Sequence, residues 1–499
     1  MDRAWLGIDV GTQSVKAELF DEAGGSLGAG TAPLASHRQE GLHTQDPRQW
    51  ISATEIAVAL AVGKMLEGGD AIVTGVAVSA TSGSLAVLDT RGRPVSEGLM
   101  YDDSRGSLYG EQVREGGSAL WQSLGYPMAD SWALPKICAL PRLGFSPGAT
   151  VGQQADVITS WLAGHRVASD SSHALKSGYD PLTAAWPAAV LETLGLDPSI
   201  FPPVVPSGTI LGSIDAVIAD RLGLPPGVPI VAGMTDGCGS QIASGNLRHG
   251  AWTSTIGTTL VLKGVTPNLI GDRSRGVYSH AAPFGDWLVG GASNVGANVV
   301  SSMLHSEDLS GLEETIPGLE TLPLMYPLEG NGERFPFSSD KAEGFFVDGE
   351  VERQLSEWDR DKSTLFGGLM LGIALVEGLC FDTMKDLGAP VTETVSLSGG
   401  ATSNQWWNQL RSDILRRSVS VSPSSGAAKG AAIIAASAIT GRLRQMPEVA
   451  AEMSSPGQRF DPTSERSGLL ADRKGDLLSR LHSREYITKT GYPSTGVAR

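Results

Sequence analysis

Asp9 stands inside an apolar run near the start of the chain, just before the polar turn formed by Gly11, Thr12 and Gln13. This turn offers a glycine, a hydroxyl group and a row of backbone N–H groups, which together can bind phosphate oxygens. A carboxylate beside such a turn can hold Mg²⁺ through water. The stretch therefore indicates a phosphate and metal site, with an ordinary β-hairpin as the alternative.

A second carboxylate, Asp236, follows an apolar run and precedes a segment of small residues. An acid between a strand and a helix is well placed to act as a base, and its alternative role is to cap the helix. The turn at Gly257 and Thr258 follows shortly afterwards and repeats the strand, Gly-Thr, strand pattern of the first turn. Two such hairpins, one in each half, predict two similar domains that present a Gly-Thr turn to the same polyphosphate across a cleft.

Residues 79–84 form a hydroxyl-rich turn after an apolar strand. A further polar segment, residues 101–105, combines an aromatic residue, two acids and an arginine, which is the composition of a polyol site. Carboxylates accept hydrogen bonds from vicinal hydroxyl groups, and an arginine supports them. The alternative for Asp103 and Arg105 is a helix N-cap with a surface ion pair.

The elements that position these residues alternate between strands and helices, which favours a mixed α/β fold with helices on both faces of each sheet. We predict two domains, residues 1–246 and residues 247–499, with a disordered tail after about residue 485. The expected elements are strands at 5–10, 14–20 and 71–78, a helix at 48–65 capped by Asp46, and buried helices at 365–379 and 428–439.

The amino-acid composition indicates which classes of binding partner and which cellular compartment to expect. The 499-residue chain has a net charge of −16, which disfavours binding to nucleic acid or to an anionic membrane. Only 18% of its residues are charged, as expected for a well-buried globular protein. Its three widely spaced cysteines match no zinc or redox motif and predict reduced thiols in a cytoplasmic protein.

A set of motifs in a fixed order gives the chain a family resemblance. The motifs lie at residues 7–12, 101–105, 233–236, 257–259, 290–294, 332–336, 397–404, 409–419 and 426–432. In this combination the chain resembles the FGGY family of carbohydrate kinases. The resemblance implies the two-domain actin-like ATPase fold, also called ribonuclease H-like, and an ATP-dependent kinase that acts on a small sugar with Mg²⁺.

The resemblance also implies roles for individual residues. Asp236 would be the general base that takes the proton of the attacking sugar hydroxyl, and Asp9 would organise Mg²⁺. ATP would be bound by the residues of the two Gly-Thr turns and of a glycine pair that opens a helix: Gly11, Thr12, Gln13, Gly257, Thr258, Gly399, Gly400 and Asn404. The sugar would be bound by Asp9, Ser82, Asp103, Arg105 and Asp236.

Within the family, several segments are similar to the D-ribulokinase branch: residues 80–84, 169–179, 259–263, 276–280 and 290–294. They favour D-ribulose as substrate. The acid and arginine at Asp103 and Arg105 are usual in xylulose kinases, so D-xylulose or another polyol stays an alternative. The alternatives from other functional classes are an actin-like or Hsp70-like nucleotide switch and an inactive sugar-binding protein. The sequence is compatible with a homodimer and does not determine the oligomeric state.

Overall fold

Strands and helices alternate along the chain in the computed structural model, which describes residues 2–140, 146–304, 309–392, 394–422 and 426–487. The expected disordered tail falls mainly on residues 488–499, which lie outside the described residues. The described part contains strands, α-helices and short 3₁₀-helices.

The strands, numbered in chain order, are β1 Arg3–Val10, β2 Ser14–Phe20, β3 Ser26–Pro33, β4 His37–Gln39, β5 Leu42–Gln45, β6 Ile72–Ala80, β7 Leu85–Leu88, β8 Gly98–Leu99, β9 Thr150–Gln153, β10 Ser169–Asp170, β11 Val204–Val205, β12 Ile210–Ser213, β13 Pro229–Val231, β14 Trp252–Ile256, β15 Leu260–Thr266, β16 Tyr278–Ala281, β17 Trp287–Ser293, β18 Met325–Glu333, β19 Ser339–Asp348, β20 Val351–Gln354, β21 Thr394–Ser398, β22 Ser418–Val421 and β23 Gln458–Phe460.

The α-helices are α1 Pro47–Gly68, α2 Gly110–Gly116, α3 Ser118–Leu124, α4 Ala133–Ala139, α5 Gln154–Ala163, α6 Ser171–Ala174, α7 Ala188–Thr193, α8 Ala216–Leu222, α9 Asp236–Ala243, α10 Asn298–Leu304, α11 Leu309–Glu313, α12 Lys362–Asp386, α13 Gln405–Leu415, α14 Ala427–Ile439, α15 Met446–Glu452 and α16 Ser467–Ser483.

The chain divides into two compact units. Unit 1 comprises Met1–Leu247, His280–Leu288 and Ser424–Ser455, and unit 2 comprises Arg248–Ser279, Val289–Pro423 and Pro456–Arg499. The sequence-based domains, residues 1–246 and 247–499, differ from these units in the two later segments that join unit 1. Helix α14 is part of this difference, because small residues let it lie directly on β1: a Cβ atom built on Gly7 would come 1.7 Å from the Ala428 carbonyl oxygen.

Unit 1 is built on a six-stranded sheet with the strand order β12-β13-β6-β1-β2-β3. β1 runs parallel to β6 and antiparallel to β2, and β6 runs parallel to β13. Leu6 and Ile8 of β1 are completely buried. The predicted helix at residues 48–65 is confirmed as α1, whose first turn is capped by the Asp46 carboxylate at 2.9 Å from the Arg48 nitrogen. The carboxyl ends of β13, β6 and β1 therefore meet at one edge of the sheet.

Unit 2 repeats this arrangement in its own seven-stranded sheet, which has the order β16-β17-β15-β14-β21-β22-β23. β14 runs antiparallel to β15 and parallel to β21, and β21 runs parallel to β22. The hairpin of β14 and β15 therefore has the same place and strand sense in its sheet as the hairpin of β1 and β2 has in unit 1. This match extends the internal similarity that the two Gly-Thr turns indicate.

The predicted buried helix at residues 365–379 is confirmed as part of α12. By length and composition α12 could cross a membrane, but 94% of its most apolar stretch is buried inside the protein, as in the core helix of a globular unit. Glu377 of α12 and Arg411 of α13 form a completely buried ion pair with an N–O distance of 2.8 Å. Two hydrogen bonds to one carboxylate hold the helices together in the core of unit 2.

Candidate active site

Polar side chains gather at the carboxyl ends of three neighbouring parallel strands of unit 1. Asp9, near the end of β1, is the register partner of Ser79 on β6. An isolated bridge then joins Ala80 to Thr235, so that Asp236 follows at the same edge of the sheet. Ligands of open α/β sheets bind outside the carboxyl ends of the strands. The structure thus brings the two predicted acids, Asp9 and Asp236, to one edge of one sheet.

Asp9 lies in an environment that penalises its negative charge. Its Oδ1 atom is shielded from solvent and has no hydrogen-bond partner among the described residues. Burial and, to a smaller extent, the negative charge of Asp236 together raise the pKa of Asp9 to about 7, against the opposing positive charge of Lys16. A buried carboxylate oxygen without a donor is unfavourable unless a proton or a cation meets it. Asp9 therefore has the properties of a cation ligand.

These acids fit the way in which proteins hold Mg²⁺ beside a nucleotide. The described residues contain no group of three or more His, Cys, Asp or Glu side chains that could hold a metal ion. However, Mg²⁺ is commonly bound by one or two carboxylates, water and substrate phosphates, rather than by a cage of protein ligands. The unpartnered Oδ1 atom of Asp9, with Asp236 nearby, suits an ion of this kind.

Asp236 is the first residue of helix α9, and its Oδ1 atom accepts a hydrogen bond of 2.8 Å from the backbone N–H group of Gly237. The side chain is only partly buried, so a ligand can reach it. A carboxylate fixed in this way can take a proton from a hydroxyl group within hydrogen-bond distance. Its role as the general base stays a prediction.

The turn at Gly11, Thr12 and Gln13 is held by its backbone. The Gly11 N–H group donates to the Ser14 carbonyl oxygen at 3.0 Å, and the Thr12 and Gln13 carbonyl oxygens accept hydrogen bonds from Gln45 at 2.6 Å and from Leu34 at 2.8 Å. All three residues are partly or fully exposed. The turn is thus rigid and accessible, as a phosphate-binding segment must be, and its assignment to ATP stays a prediction.

The corresponding turn of unit 2 is also fixed by backbone hydrogen bonds. The Gly257 N–H group donates to the Thr259 carbonyl oxygen at 3.1 Å, and the Gly257 carbonyl oxygen accepts from Ala297 at 2.8 Å. Thr258 is exposed, and a Cβ atom built on Gly257 would meet no atom within 4 Å. Packing within unit 2 therefore does not require a glycine at position 257. Close approach of a ligand is a remaining reason for a glycine there.

The predicted adenosine segment contains residues of two kinds. Gly399 has a φ of 90°, and a Cβ atom there would lie 2.3 Å from the Ile256 carbonyl oxygen, so the fold requires this glycine. Gly400 has open space around it. The buried Asn404 caps α13, since its Oδ1 atom accepts from the Trp407 nitrogen at 2.8 Å, and its Nδ2 atom donates to Glu313. Within unit 2, Gly400 is therefore better suited to meet a ligand than Gly399 or Asn404.

Ser82 lies two residues beyond the end of β6, at the edge that carries Asp9 and Asp236. Its Oγ atom is shielded from solvent and has no hydrogen-bond partner among the described residues. Thr81 holds the loop around it, since its hydroxyl group bonds to Ser84 at 2.7 Å and to Gln154 at 2.6 Å. An unsatisfied hydroxyl in a fixed loop is a suitable partner for a sugar hydroxyl.

Asp103 and Arg105 form a helix N-cap with an ion pair, which was the alternative to a sugar site. Asp103 is completely buried and caps a short 3₁₀-helix, Ser104–Leu108, through the backbone N–H group of Arg105 at 3.1 Å. The Asp103 carboxylate also accepts from the Arg105 Nε atom at 2.8 Å and from the His43 backbone nitrogen at 2.8 Å. Direct sugar binding by this pair stays a prediction, and its geometry favours a role in holding the turn.

Ser79 belongs to the hydroxyl-rich segment of residues 79–84, but it was not predicted as a site residue, and the structure places it within strand β6. Its Oγ atom is buried and lacks a hydrogen-bond partner among the described residues, like the Oδ1 atom of its register partner Asp9. A serine directly after the apolar run Val76–Val78 of strand β6 was a signal in the sequence. However, only the register of β6 against β1 shows that it lies beside the acid.

Comparison with known proteins decides the family. The models of the N-terminal and C-terminal domains of the FGGY family of carbohydrate kinases match residues 4–243 and 253–439. The chain belongs to the FGGY family of carbohydrate kinases. This confirms the family resemblance and the two-domain mixed α/β fold, and the family consists of ATP-dependent sugar phosphotransferases.

Relatives of this FGGY kinase are similar over nearly their whole length. A xylulose kinase of Staphylococcus epidermidis is 23% identical over 491 residues, which cover 93% of each chain. The crystal structure of a xyloylose kinase from Brucella ovis has a TM-score of 0.83 at 22% identity and covers 96% of this chain and 100% of that one. The structure of Plasmodium falciparum glycerol kinase with ADP has a TM-score of 0.80 at 17% identity, with coverage of 96% and 98%.

Proposed function

We propose that this FGGY kinase transfers the γ-phosphoryl group of ATP to a hydroxyl group of a ketopentose, with D-ribulose as the preferred substrate and D-ribulose 5-phosphate as the product. One observation carries the proposal. Three oxygen atoms at one edge of the unit 1 sheet, in Asp9, Ser79 and Ser82, are shielded from solvent without hydrogen-bond partners among the described residues. A bound polyol supplies hydroxyl groups that both donate and accept, so it can satisfy serine and carboxylate oxygens together.

In the proposed reaction, Asp236 accepts the proton of the sugar hydroxyl while the hydroxyl oxygen forms a bond to the γ-phosphorus. The bond between the γ-phosphorus and the oxygen that bridges it to the β-phosphate breaks, and ADP leaves with the bonding electron pair. Phosphoryl transfer depends mainly on alignment and charge stabilisation, so one positioned carboxylate is sufficient protein chemistry for the proton. The hydrogen bond from Gly237 keeps this carboxylate oriented.

The nucleotide would be held chiefly by backbone. We assign the phosphate oxygens to the turn residues Gly11, Thr12 and Gln13 of unit 1 and to Gly257 and Thr258 of unit 2, and the adenosine to the segment that contains Gly399, Gly400 and Asn404. Asp9 would hold Mg²⁺, which when bound neutralises phosphate charge. The support for these assignments is the rigidity and exposure of the turns and the unpartnered Asp9 oxygen.

The choice of D-ribulose rests on where the segments similar to D-ribulokinases lie. Lys176, from one such segment, donates to the Ser82 carbonyl oxygen of another at 3.0 Å, and Ser172 bonds to His280 Nδ1 at 3.0 Å. Hydrogen bonds thus link residues from three of the segments that resemble this branch, and one of these residues is Ser82. D-Xylulose is the second candidate, because relatives such as the Staphylococcus epidermidis protein are named xylulose kinases.

The proposal is tested by ADP release from the full-length protein with ATP, Mg²⁺ and one acceptor at a time: D-ribulose, D-xylulose, a ketohexose, glycerol or erythritol. We expect kcat/KM for D-ribulose to exceed that for every other acceptor. A higher value for D-xylulose would overturn the choice of epimer. No stimulation by either ketopentose, in a preparation that binds ATP, would overturn the ketopentose proposal itself.

A further inference from the structure

Lys136 is a charged residue in an apolar setting that the proposed reaction does not use. It lies in helix α4 between Pro135 and Ile137, and its side chain is completely buried. Its ammonium group donates to two backbone carbonyl oxygens, of Gly83 at 2.8 Å and of Met100 at 2.6 Å. These carbonyl groups lie in two separate segments of unit 1.

Both segments carry predicted sugar ligands. Gly83 follows Ser82 in the loop at residues 80–84, and Met100 opens the turn that leads to Asp103 and Arg105. The Met100 carbonyl oxygen also accepts the Asp103 N–H group at 3.1 Å, which closes this turn. A single ammonium group therefore connects the loop of Ser82 with the turn of Asp103 and Arg105.

A second lysine holds the same loop from another side. Lys176 Nζ donates to the Ser82 carbonyl oxygen at 3.0 Å. The next residue, Gly83, has a φ of 93°, and a Cβ atom there would lie 3.1 Å from Lys176 Cδ. Two lysines thus bind two consecutive carbonyl groups, while the Ser82 hydroxyl between them makes no bond to the described residues. The loop is fixed by its backbone, which leaves its side chain available for a ligand.

Burial of the Lys136 ammonium group in apolar surroundings is energetically unfavourable. Burial and, to a smaller extent, the positive charge of Lys176 together lower the pKa of Lys136 to about 7, against the opposing charges of Asp103 and Asp102. An apolar side chain of similar length would fill the same volume without that penalty. The two hydrogen bonds are therefore what a lysine provides here and a methionine does not.

We propose that Lys136 is a positioning residue that fixes the Ser82 loop against the turn of Asp103 and Arg105, and thereby sets which ketopentose epimer the enzyme accepts, with Lys176 as the second anchor. The inference rests on the proposed function and on the prediction that both segments contact the sugar. An enzyme distinguishes epimers by the positions of the groups that bind neighbouring hydroxyls of the sugar. A shift of about 1 Å in these groups can reduce the rate about a hundredfold. Loss of the bridge lets the two segments move apart.

The test compares Lys136→Met and Lys176→Met with the control Lys64→Met. Lys64 also donates to a backbone carbonyl, of Ala29 at 2.8 Å in the same unit, but touches neither sugar segment. We expect Lys136→Met to reduce the ratio of kcat/KM for D-ribulose to kcat/KM for D-xylulose by about tenfold or more. KM for ATP should change little. Lys176→Met should change the ratio in the same direction but less, and Lys64→Met should leave it unchanged.

A second measurement does not depend on the substrate. Amide hydrogen exchange should become faster in residues 80–84 and 100–105 of Lys136→Met, and not in the other strands of unit 1. An unchanged epimer ratio in folded Lys136→Met overturns the inference. If Lys136→Met does not fold, an unchanged ratio and unchanged exchange in Lys176→Met overturn it instead. A wild-type enzyme inactive on both ketopentoses contradicts the proposed function, whereas the exchange data still decide the role of Lys136.

Discussion

Asp9 and Ser79 are register partners on the adjacent parallel strands β1 and β6, and each carries a buried side-chain oxygen without a hydrogen-bond partner among the described residues. Unsatisfied buried polar atoms are uncommon in folded proteins, and each is unfavourable. Here two such atoms lie side by side at the edge of a sheet that also carries Asp236. This arrangement indicates that the edge binds ligand atoms at some cost in stability. The fold tolerates the unfavourable energy because the rest of β1 is well packed.

Asp9→Asn should stabilise the protein in a way that depends on pH. The pKa of Asp9 is raised to about 7, so the folded state binds this proton more tightly than the unfolded state, where the usual value is 3.8. The free energy of unfolding of the wild type therefore falls as pH rises from about 4 to about 7, whereas asparagine does not titrate. Without Mg²⁺, we expect the advantage of Asp9→Asn to grow over this range to roughly 1–4 kcal/mol at pH 8.

Urea denaturation at pH 5, 6, 7 and 8 in the presence of a chelator measures this difference. The matched control is Asp220→Asn, at an exposed acid of unit 1 in helix α8. Addition of Mg²⁺ and nucleotide should stabilise the wild type more than Asp9→Asn, because the variant lacks the carboxylate ligand. A pH-independent difference between Asp9→Asn and the wild type would show that the pKa of Asp9 is not raised in the folded protein.

Asp236→Asn should retain the fold and lose the chemical step. The asparagine Oδ1 atom can still accept the Gly237 N–H group, which Asp236 accepts at 2.8 Å, so the start of α9 is preserved. An amide cannot take the proton of a sugar hydroxyl, so kcat should fall by about 10²- to 10⁴-fold while KM for ATP changes little. Steady-state kinetics with the preferred ketopentose provide the measurement.

The control for this change is Asp215→Asn, since Asp215 also begins a helix of unit 1 and accepts from the Val217 nitrogen at 2.9 Å. It should keep kcat close to the wild-type value. Turnover of Asp236→Asn at a rate similar to that of Asp215→Asn would remove Asp236 from the role of base.

Much of the architecture could be predicted from the sequence, because it follows from local patterns. Alternation in residues 14–20, the apolar run before Ser79 and the cap at Asp46 each specify an element without reference to distant residues. The matching hairpins at Gly11 and Gly257 also pointed to two similar sheets. The place of α14 in unit 1 could not be read in this way, because it depends on contact between Gly7 and Ala428, which are far apart in the sequence.

The candidate site was predicted in part for the same reason. Motif residues such as Asp9 and Asp236 stand at strand ends, where their types are informative on their own. By contrast, the capping role of Asn404 and the bonding of Asp103 to His43 depend on partners outside the motif. The buried bridge of Lys136 is visible in the sequence only as a lysine among apolar residues, and its two carbonyl partners appear only in the folded chain.

The neighbouring glycines Gly399 and Gly400 should respond differently to alanine. Gly399→Ala places a methyl group at φ 90° and 2.3 Å from a carbonyl oxygen, so it should destabilise unit 2 by about 2 kcal/mol or more. Gly400→Ala meets no atom within 4 Å and should leave the thermal unfolding temperature unchanged. If adenosine approaches Gly400, the added methyl group should raise KM for ATP about five- to a hundredfold. Unchanged KM for ATP in Gly400→Ala would contradict that contact.

Ser82→Ala should separate ligand binding from stability most clearly. The Ser82 hydroxyl has no partner among the described residues, so its removal leaves no internal hydrogen bond broken and should not lower the thermal unfolding temperature. If the hydroxyl binds the sugar, kcat/KM for the ketopentose should fall about 5- to 100-fold, which corresponds to ~1–3 kcal/mol. KM for ATP should stay within the wild-type range.

Ser84→Ala is the matched control in the same loop, and it should lower the stability that Ser82→Ala leaves unchanged. Ser84 is completely buried and its hydroxyl bonds to Thr81 at 2.7 Å, so its removal breaks an internal hydrogen bond and should lower the unfolding temperature. Differential scanning calorimetry and ketopentose kinetics on both variants give the comparison. If Ser82→Ala destabilised the protein as much as Ser84→Ala and kept a normal kcat/KM, Ser82 would be a structural residue and the sugar site would have to be sought elsewhere.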